Sequence, residues 1–370
     1  MFDIQQQAVI TSFNLPGNGA ARIYASPDKR YAVVVQRDDN QVSFVDSGVY
    51  VEDHGDHMHE YANDPAMSNF TLSGTAPTHY TQHSPYGFIF NDGGEGITSS
   101  VDIFSDSSIG QGKLLASLNL DNAMHGVAKW AGDKLFVTRR DASITDTVLP
   151  AEVERYGFDG TTLTFEHRYE EQCPLLHGAG ANDDYLVFGC GDGVLSIDLK
   201  AADFPGTHYP ETADFGENDR IGSVFAHHEA AALVGTVGFP QRRLFTLQPG
   251  SETAIAEIAL PDGTGDVAQG FTCEGDRFYA LTNDGQLHLF STDDWSLADS
   301  LQVVDPLGAE SAAPQVVCSQ MEDMLFVLDV EQQSLISVNT STASIASTTA
   351  MTQPVSNLTW LGFADHEHDH

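Results

Sequence analysis

The sequence has few basic residues, with 16 Lys and Arg against 53 Asp and Glu among 370 residues, which gives a formal net charge of −37. Such a surface repels phosphate backbones and anionic membranes, so nucleic acid is not expected as a partner, whereas cations are attracted. Repulsion between like-charged chains also favours a monomer. Because acidic surfaces are also typical of proteins adapted to salt, the charge alone assigns no function.

Long apolar runs are absent as well. No run reaches the roughly 18 apolar residues of a membrane-spanning helix, so no membrane insertion is expected. After Met1 the chain reads FDIQQQAVITSF, without a basic start or an apolar core, so no signal peptide is evident. A mature exported protein that has lost its signal has the same appearance. At 41% hydrophobic residues, the chain can nevertheless bury a sizeable core.

Cysteines are scarce, and no two of them form a CxxC pair. The four residues are Cys173, Cys190, Cys273 and Cys318. A structural zinc site built from thiolates is therefore not expected. An even number permits two disulfides, as is common in oxidising compartments. Cys173 and Cys190 flank one predicted strand pair and are the first candidates for a bridge.

Long amphipathic helical patterns are hard to find, and short apolar runs of strand length recur between Gly, Asp and Asn turns. Seven such units follow one another at a spacing of roughly 40 to 60 residues. They cover residues 22–46, 79–105, 125–141 with 153–160, 177–199, 222–247, 269–291 and 315–339. This repeat predicts an all-β fold over residues 1–363, a single β-propeller domain with seven blades of four antiparallel strands.

The two ends of the chain leave the blade count open. The segment AVITSFNL (8–15) is predicted to close the ring by pairing into the last blade. The segment VSNLTWLGF (355–363) is one strand more than seven blades need, so an eight-bladed ring is the alternative.

Three histidines occupy equivalent positions in three consecutive blades. The first strand of each blade lines the central channel, so residues at the same first-strand position converge. Counting back eight or nine residues from the second strands GFIF, KLFV and YLVF reaches His79, His125 and His177. Three converging imidazoles form a site of the kind that zinc prefers. A water, a carboxylate or a fourth histidine would complete the tetrahedron.

Further histidines are candidates for extending this site. His83 lies on the same strand face as His79, about 13 Å further along. His227, with His228 beside it, lies at the first turn of the fifth unit and either extends the site or belongs to another at the opposite mouth. The remaining histidines within the blades are read as ordinary surface or blade residues: His167, His208 and His288.

The stretch EDHGDHMHEY (52–61) places three histidines and four acidic residues within ten positions. It lies between the third strand of the first unit and NFTLSG, the predicted outer strand, and it has no apolar periodicity. It is therefore predicted to be a mobile loop in which His54, Asp56, His57 and His59 hold a metal ion more weakly than a channel site. The tail ADHEHDH (364–370) repeats this composition. The alternative for both segments is a solvated acidic stretch that binds metal only adventitiously.

Taken together, these residues resemble the AztD-type periplasmic zinc metallochaperones of bacteria, β-propellers that pass zinc to the periplasmic binding protein of a zinc ABC importer. The resemblance rests on H-x-D-H-x-H (54–59), PTHYTQH (77–83) followed by FNDGGEG, MHGVA (124–128) and CPLLHG with FGCGDGV (173–194). It implies zinc as the bound metal, a periplasmic location and no enzymatic activity. It also implies His79, His125 and His177 as the main site, the 52–61 segment as a mobile arm and a Cys173–Cys190 disulfide.

Two other function classes stay open. A metal-dependent hydrolase or lyase would need a general base beside the metal, for which Asp92, Glu95 and Asp266 are candidates. A protein-interaction propeller would carry its histidines incidentally and bind no metal above background.

Overall fold

The computed structural model describes residues 1–362 except 54, 56, 145, 147, 212–214, 217–218, 240–241 and 321. The fold is a β-propeller with seven blades of four antiparallel strands, as the repeat predicted. The chain divides into two compact units, Met1–Ala128 with Phe158–Thr164 and the described residues from Asn357, and Lys129–Gly157 with Phe165–Ser356. Within the described part of the chain, no helix is long and apolar enough to cross a membrane.

The first unit contains the first two blades. It begins with a two-stranded ribbon of β1 (Phe2–Asp3) and β2 (Ala8–Val9). The first blade consists of β3 (Arg22–Ala25), β4 (Tyr31–Gln36), β5 (Gln41–Asp46) and, after a hairpin of β6 (Val49–Asp53) and β7 (Met58–Ala62), β8 (Ala66–Leu72). The second consists of β9 (Pro77–His83), β10 (Tyr86–Asn91), β11 (Ser100–Phe104) and, after the short helix α1 (Asp106–Gly110), β12 (Ala116–Asn119).

The second unit contains the fourth to seventh blades and most of the third, and each sheet follows chain order. The third blade consists of β13 (Ala128–Ala131), β14 (Lys134–Arg139), β15 (Glu152–Phe158) and β16 (Leu163–Arg168). The fourth consists of β17 (Ala179–Ala181), β18 (Tyr185–Cys190), β19 (Gly193–Asp198) and β20 (Gly206–Pro210). The fifth consists of β21 (Ile221–Phe225), β22 (Leu233–Val237), β23 (Arg243–Leu247) and β24 (Ile255–Ile258). The sixth consists of β25 (Asp266–Phe271), β26 (Arg277–Thr282), β27 (Gln286–Ser291) and β28 (Leu297–Gln302). The seventh is β29 (Gln315–Cys318), β30 (Met324–Asp329), β31 (Ser334–Asn339) and β32 (Ser344–Ala350).

The second strand of each blade is apolar along its length because both of its faces are covered. Every residue of β4 and of β22 is buried. Val187 and Val194 of the fourth blade pack in one cluster with Ile221 and Phe245 of the fifth. A strand packed on both sides reads as a continuous apolar run rather than an alternating one. The outermost strands, such as β16 and β28, are instead largely exposed.

The predicted pairing of the N-terminal segment with the last blade is wrong. The segment 8–15 contributes β2, which pairs with β1 and not with the last blade. The last blade needs no such strand, because β32 supplies its own fourth strand. Among the described residues beyond Ala350, none is in a strand, so these residues add no strand of an eighth blade.

The 52–61 segment was predicted to be a loop, but most of it is a β-hairpin. In the pairing of β6 with β7, Glu52 lies opposite His59. The rings of Tyr50 and Tyr61 stack at a centroid distance of 4.9 Å, and the Arg30 guanidinium lies 3.7 Å from the centre of the Tyr50 ring. Aromatic cross-strand pairs and cation–π contacts stabilise a hairpin without apolar alternation. His54, Asp56 and the 364–370 tail lie outside the described residues.

Two disulfides connect the four cysteines. Cys173 is bonded to Cys190, as expected from the resemblance. Cys273 is bonded to Cys318, a pair that the sequence left open. The second bridge links β29 of the seventh blade to the residues that follow β25 in the sixth.

Candidate metal centre

The first part of the candidate site is a pair of histidine rings in the first unit. His79 lies within β9, and His125 lies three residues before the start of β13. Their ring centroids are 4.6 Å apart and the ring planes meet at 62°. His79 follows a β-bulge, because Phe90 pairs with His79 whereas Asn91 pairs with Pro77. A bulge re-aims the side chains beside it, which here sets the direction of the His79 ring.

A hydrogen bond to a backbone carbonyl determines which nitrogen of His79 can bind a metal. Its Nδ1 lies 2.8 Å from the carbonyl oxygen of Gly126. Because a carbonyl oxygen only accepts, Nδ1 must carry the proton, and the lone pair of the neutral ring is on Nε2. Metal-binding histidines usually have such an oxygen partner at their other nitrogen.

His125 has a carboxylate in the same role. Its Nδ1 lies 2.9 Å from Oδ2 of Asp92, and Arg37 Nη2 donates to the same oxygen at 2.8 Å. The backbone N–H of Met124 donates to the carbonyl oxygen of Asp92, which fixes the approach of the two segments. The Asp92 side chain is only 8% exposed. Burial by itself raises the pKa of Asp92, but the hydrogen bond and charge of His125, with Arg37, lower the pKa overall, so the carboxyl stays ionised.

His177, in the second unit, repeats the pattern. It lies two residues before β17, and its Nδ1 donates to the carbonyl oxygen of Gly222 at 2.6 Å. Its backbone N–H donates to the carbonyl of Gly189 at 3.2 Å. A side chain at Gly178 would lie 2.7 Å from Cα of Ser223 and 2.9 Å from the carbonyl of Gly222. Only glycine at this position therefore permits the close approach that brings the Gly222 carbonyl to His177.

His79, His125 and His177 share one pattern: Nδ1 of each ring lies against an oxygen atom. All three side chains are half-buried. Three imidazoles with one open position are a donor set that fits zinc.

His83 and His227 are arranged differently. Within the described part of the chain, neither belongs to a group of three ligand residues. His83 is exposed at the end of β9. His227 uses both ring nitrogens, Nε2 toward the carbonyl of Cys273 at 2.9 Å and Nδ1 as acceptor from the N–H of Glu229 at 3.2 Å. Burial and the neighbouring His228 lower the pKa of His227.

The β6–β7 hairpin presents two histidines to solvent. His57 and His59 are both exposed. The His59 ring meets the Tyr61 ring edge-on at a centroid distance of 4.4 Å. Because directly opposite residues of an antiparallel pair lie side by side on one face, His59 and Glu52 offer an imidazole and a carboxylate together.

Comparisons with known proteins agree with this fold. No model of a protein family matches the chain. The chain is 22% identical over 334 residues to the zinc chaperone AztD of Citrobacter koseri, which covers 88% of this chain and 75% of that protein. The solved structure of apo AztD from the same organism superposes with a TM-score of 0.79 at 20% identity, over 96% of this chain and 92% of that one. The resemblance to AztD is thereby confirmed.

A second crystal structure of C. koseri AztD superposes with a TM-score of 0.80 at 20% identity, over 98% of this chain and 95% of that one. The dihydro-heme d1 dehydrogenase NirN matches less well, with a TM-score of 0.61 at 12% identity, over 96% of this chain and 71% of that one. At these identities the structural likenesses establish the propeller fold. The likeness to AztD spans the whole described propeller rather than a few blades.

The three acidic residues considered as general bases have different surroundings. Asp92 is occupied by His125 and Arg37, as described above. Glu95 is exposed in the turn after β10. Asp266 is 0% exposed at the start of β25, where Arg242 Nη1 lies 3.5 Å from its Oδ2. Its Oδ1 has no hydrogen-bond partner within the described residues. The Asp266 carboxyl is so enclosed that its position indicates neither metal binding nor general-base catalysis.

Asp266 instead makes stability depend on pH. Burial raises its pKa from 3.8 to about 7, although Arg242 opposes the shift. Between these values the folded state holds more protons than the unfolded state, so the free energy of unfolding falls as pH rises, by up to roughly 1.4 kcal/mol per pH unit. We expect Asp266→Asn to flatten this slope in urea unfolding measured from pH 4.5 to 8. The exposed Asp262→Asn is the control and should keep the wild-type slope; an unchanged slope in Asp266→Asn would contradict the assignment.

Sequence reasoning missed the groups that orient the histidines. Backbone carbonyls such as those of Gly126 and Gly222 carry no residue-type signal. Asp92 was considered only as a base. A further group was missed entirely: one ligand atom from each of Cys190, Asp192 and His208 lies within 4.8 Å of the others. The sequence offered one signal, a cysteine and an aspartate two residues apart at a strand end. It was not used, because His208 had been interpreted as an ordinary blade residue.

Proposed function

We propose that this protein is a periplasmic zinc carrier, which binds one zinc ion through His79, His125 and His177 and passes it to the zinc-binding protein of an ABC importer. Zinc is here the cargo and not a catalytic cofactor. The carrier acts as a monomer, and neither nucleic acid nor membrane takes part. The name of its relative AztD, a zinc chaperone, supports this function.

The observation that carries the proposal is the shared arrangement of the three imidazoles. Each has an oxygen atom at Nδ1, from Gly126, Asp92 or Gly222, at 2.6 to 2.9 Å. The same nitrogen, Nε2, is therefore the proposed metal ligand of each ring. Three histidines leave one tetrahedral position for water, through which a ligand from a receiving protein can enter.

The surroundings favour a carrier over an enzyme. A hydrolase would need a base free to take a proton from a zinc-bound water. The carboxylate beside His125, that of Asp92, already accepts hydrogen bonds from His125 and Arg37. It therefore orients a ligand. The net charge of −37 attracts divalent cations from solution, which suits collection of a scarce ion.

Two disulfides support an oxidising compartment such as the periplasm. The exposed hairpin supports a second role in capture or transfer. Of the predicted set of His54, Asp56, His57 and His59, the structure describes His57, just before β7, and His59, within β7. Sites on short exposed hairpins order and release an ion faster than a half-buried site does.

The proposal is tested by titrating metal-free protein with zinc against a chelating dye, and then by mixing the zinc-loaded protein with the metal-free binding protein of the importer. We expect one tight site, followed by transfer faster than spontaneous release into a chelator. Absence of any site tighter than micromolar, or transfer no faster than release, would reject the carrier.

Asp92→Asn tests how the carboxylate acts on the site. The amide keeps the shape but loses the charge that holds His125 in one tautomer, so zinc affinity should fall by roughly 10- to 100-fold. Chelator competition measures it. Glu95→Gln, which removes a charge from the exposed turn nearby, is the matched control and should change affinity less than twofold. Equal losses in both variants would mean that only the general field of the acidic surface matters.

A further inference from the structure

The group of Cys190, Asp192 and His208 lies where β18 turns into β19. Cys190 ends β18, Asp192 is in the two-residue turn, and His208 lies in β20. Their ligand atoms are all within 4.8 Å of one another. A thiolate, a carboxylate and an imidazole are the three kinds of protein ligand that zinc accepts.

The strand register explains why these side chains meet. Cys190 pairs with Gly193, and Gly193 pairs with Pro210. His208 is two residues from Pro210, so its side chain points to the same face of the sheet as that of Cys190. Gly193 lies between them with φ +139, and a side chain there would lie 2.1 Å from the carbonyl of Tyr209. Only glycine fits there, so the strand holding Cys190's partner can lie against the backbone of β20, which carries His208.

The disulfide withholds one of the three ligands. Cys190 is bonded to Cys173, and a metal binds the thiolate, not the disulfide sulfur. In this state Nε2 of His208 lies 2.9 Å from Oδ1 of Asp192. The side chains of His208 and Asp192 are 26% and 53% exposed, so an ion can approach from solvent.

The segment after Cys173 offers a path to the bond. Both sulfurs are buried, but Leu175, two residues on, is 39% exposed and covers Gly191. Leu175 has φ +56, a backbone conformation that is unfavourable for a non-glycine residue. A strained surface segment opens at a lower free-energy cost than the blade strands, so a reductant can reach the bond through it.

We propose that the Cys173–Cys190 disulfide is a redox gate over a second metal site, whose ligands are Cys190, Asp192 and His208 and which takes zinc once the bond is reduced. A dithiol protein of the thioredoxin-like class supplies two electrons and two protons. It leaves as its own disulfide and yields the thiols of Cys173 and Cys190. Zinc binding then displaces the thiol proton of Cys190 to solvent. The fourth position is left to water.

This site shares no residue with the three-histidine site, so the two are tested separately. The background is the full chain with His79→Ala, His125→Ala and His177→Ala. Metal-free protein is prepared oxidised, and reduced with a phosphine that is then removed, and both forms are titrated with Co²⁺. We expect the reduced form to gain one equivalent of Co²⁺ with a thiolate-to-cobalt charge-transfer band, which Zn²⁺ abolishes. The oxidised form shows no such band.

Two single-cysteine variants are matched controls, because both lose the disulfide. Cys173→Ser keeps the ligand Cys190 and should bind Co²⁺ with the same band without reductant. Of the bonded pair, Cys190→Ser keeps Cys173, which is not a proposed ligand, and this variant should show no band. His208→Gln in the Cys173→Ser protein should weaken binding by at least roughly tenfold.

Several results would overturn the proposal. These are a band of equal strength in Cys190→Ser, no band in Cys173→Ser, or no effect of His208→Gln. If either single-cysteine variant fails to fold, thermal unfolding of the background protein decides. Zn²⁺ should raise the melting temperature of the reduced form and not that of the oxidised form, and equal shifts, or none, would reject the gate.

Discussion

Replacing His79, His125 and His177 together by alanine lowers zinc affinity by roughly a thousandfold or more, while the propeller stays folded. The reason is that the triple substitution removes every imidazole of the proposed site, and alanine offers no ligand in its place. The rings are half-buried and their Nδ1 partners are backbone carbonyls and one carboxylate, so their removal leaves the apolar blade cores unchanged. Chelator competition at neutral pH measures the loss, and circular dichroism verifies the fold.

His83→Ala is the control for this experiment. His83 lies on the same strand as His79 but is exposed and outside the group, so its loss should leave affinity within about twofold of wild type. Near-wild-type affinity in the triple variant would refute the site. A loss as large in His83→Ala as in the triple variant would show that the ligands lie further along β9.

Deleting residues 53–60 slows zinc transfer to the receiving protein by about tenfold and leaves the tight site loaded. A hairpin ligand that binds the ion before it leaves the channel histidines replaces full release into water by stepwise ligand exchange, which lowers the barrier by about 1.4 kcal/mol per factor of ten. Stopped-flow mixing of the zinc-loaded protein with the metal-free receiving protein measures the rate. Equilibrium titration measures the remaining stoichiometry.

The matched variant retains the hairpin and changes only its chemistry, with His54, His57 and His59 replaced by glutamine. It keeps the Tyr50–Tyr61 stack and the Arg30 contact that anchor β6 and β7. If the histidines act as ligands, this variant and the deletion should slow transfer alike. Slowing by the deletion alone would mean that the hairpin docks the partner through its shape, and loss of all binding would place the site on the hairpin.

The fold was predictable from the sequence because the seven units repeat a strand pattern whose period is set by the chain itself. Runs such as YAVVVQ and LVGTV are apolar throughout since each blade is covered on both faces. Errors occurred where the pattern stops. The ribbon of β1 and β2 contains four residues in strands, too few for a periodicity to show. The hairpin of β6 and β7 depends on aromatic pairing across the turn, which a search for apolar alternation does not detect.

The candidate site was predictable only in its histidines. Aligning second strands places His79, His125 and His177 at one position, and the structure has His79 within β9 and the other two just before β13 and β17. The groups that set their tautomers were out of reach. Asp92 is 33 residues from His125, and Gly222 is 45 residues from His177. Contacts at such separations follow from the closing of blades and not from any local pattern.

The sequence by itself determined the repeat, the seven-bladed propeller, the acidic surface and the residue types able to bind zinc, because strand period, charge and donor chemistry are local properties of the chain. Only the tertiary structure decided which donors meet. It directed the carbonyls of Gly126 and Gly222 at two histidines, enclosed Asp266 where its pKa rises, and brought His208 beside Cys190 across an intervening glycine. These outcomes depend on distances between residues far apart in sequence, and such distances exist only once the blades have packed.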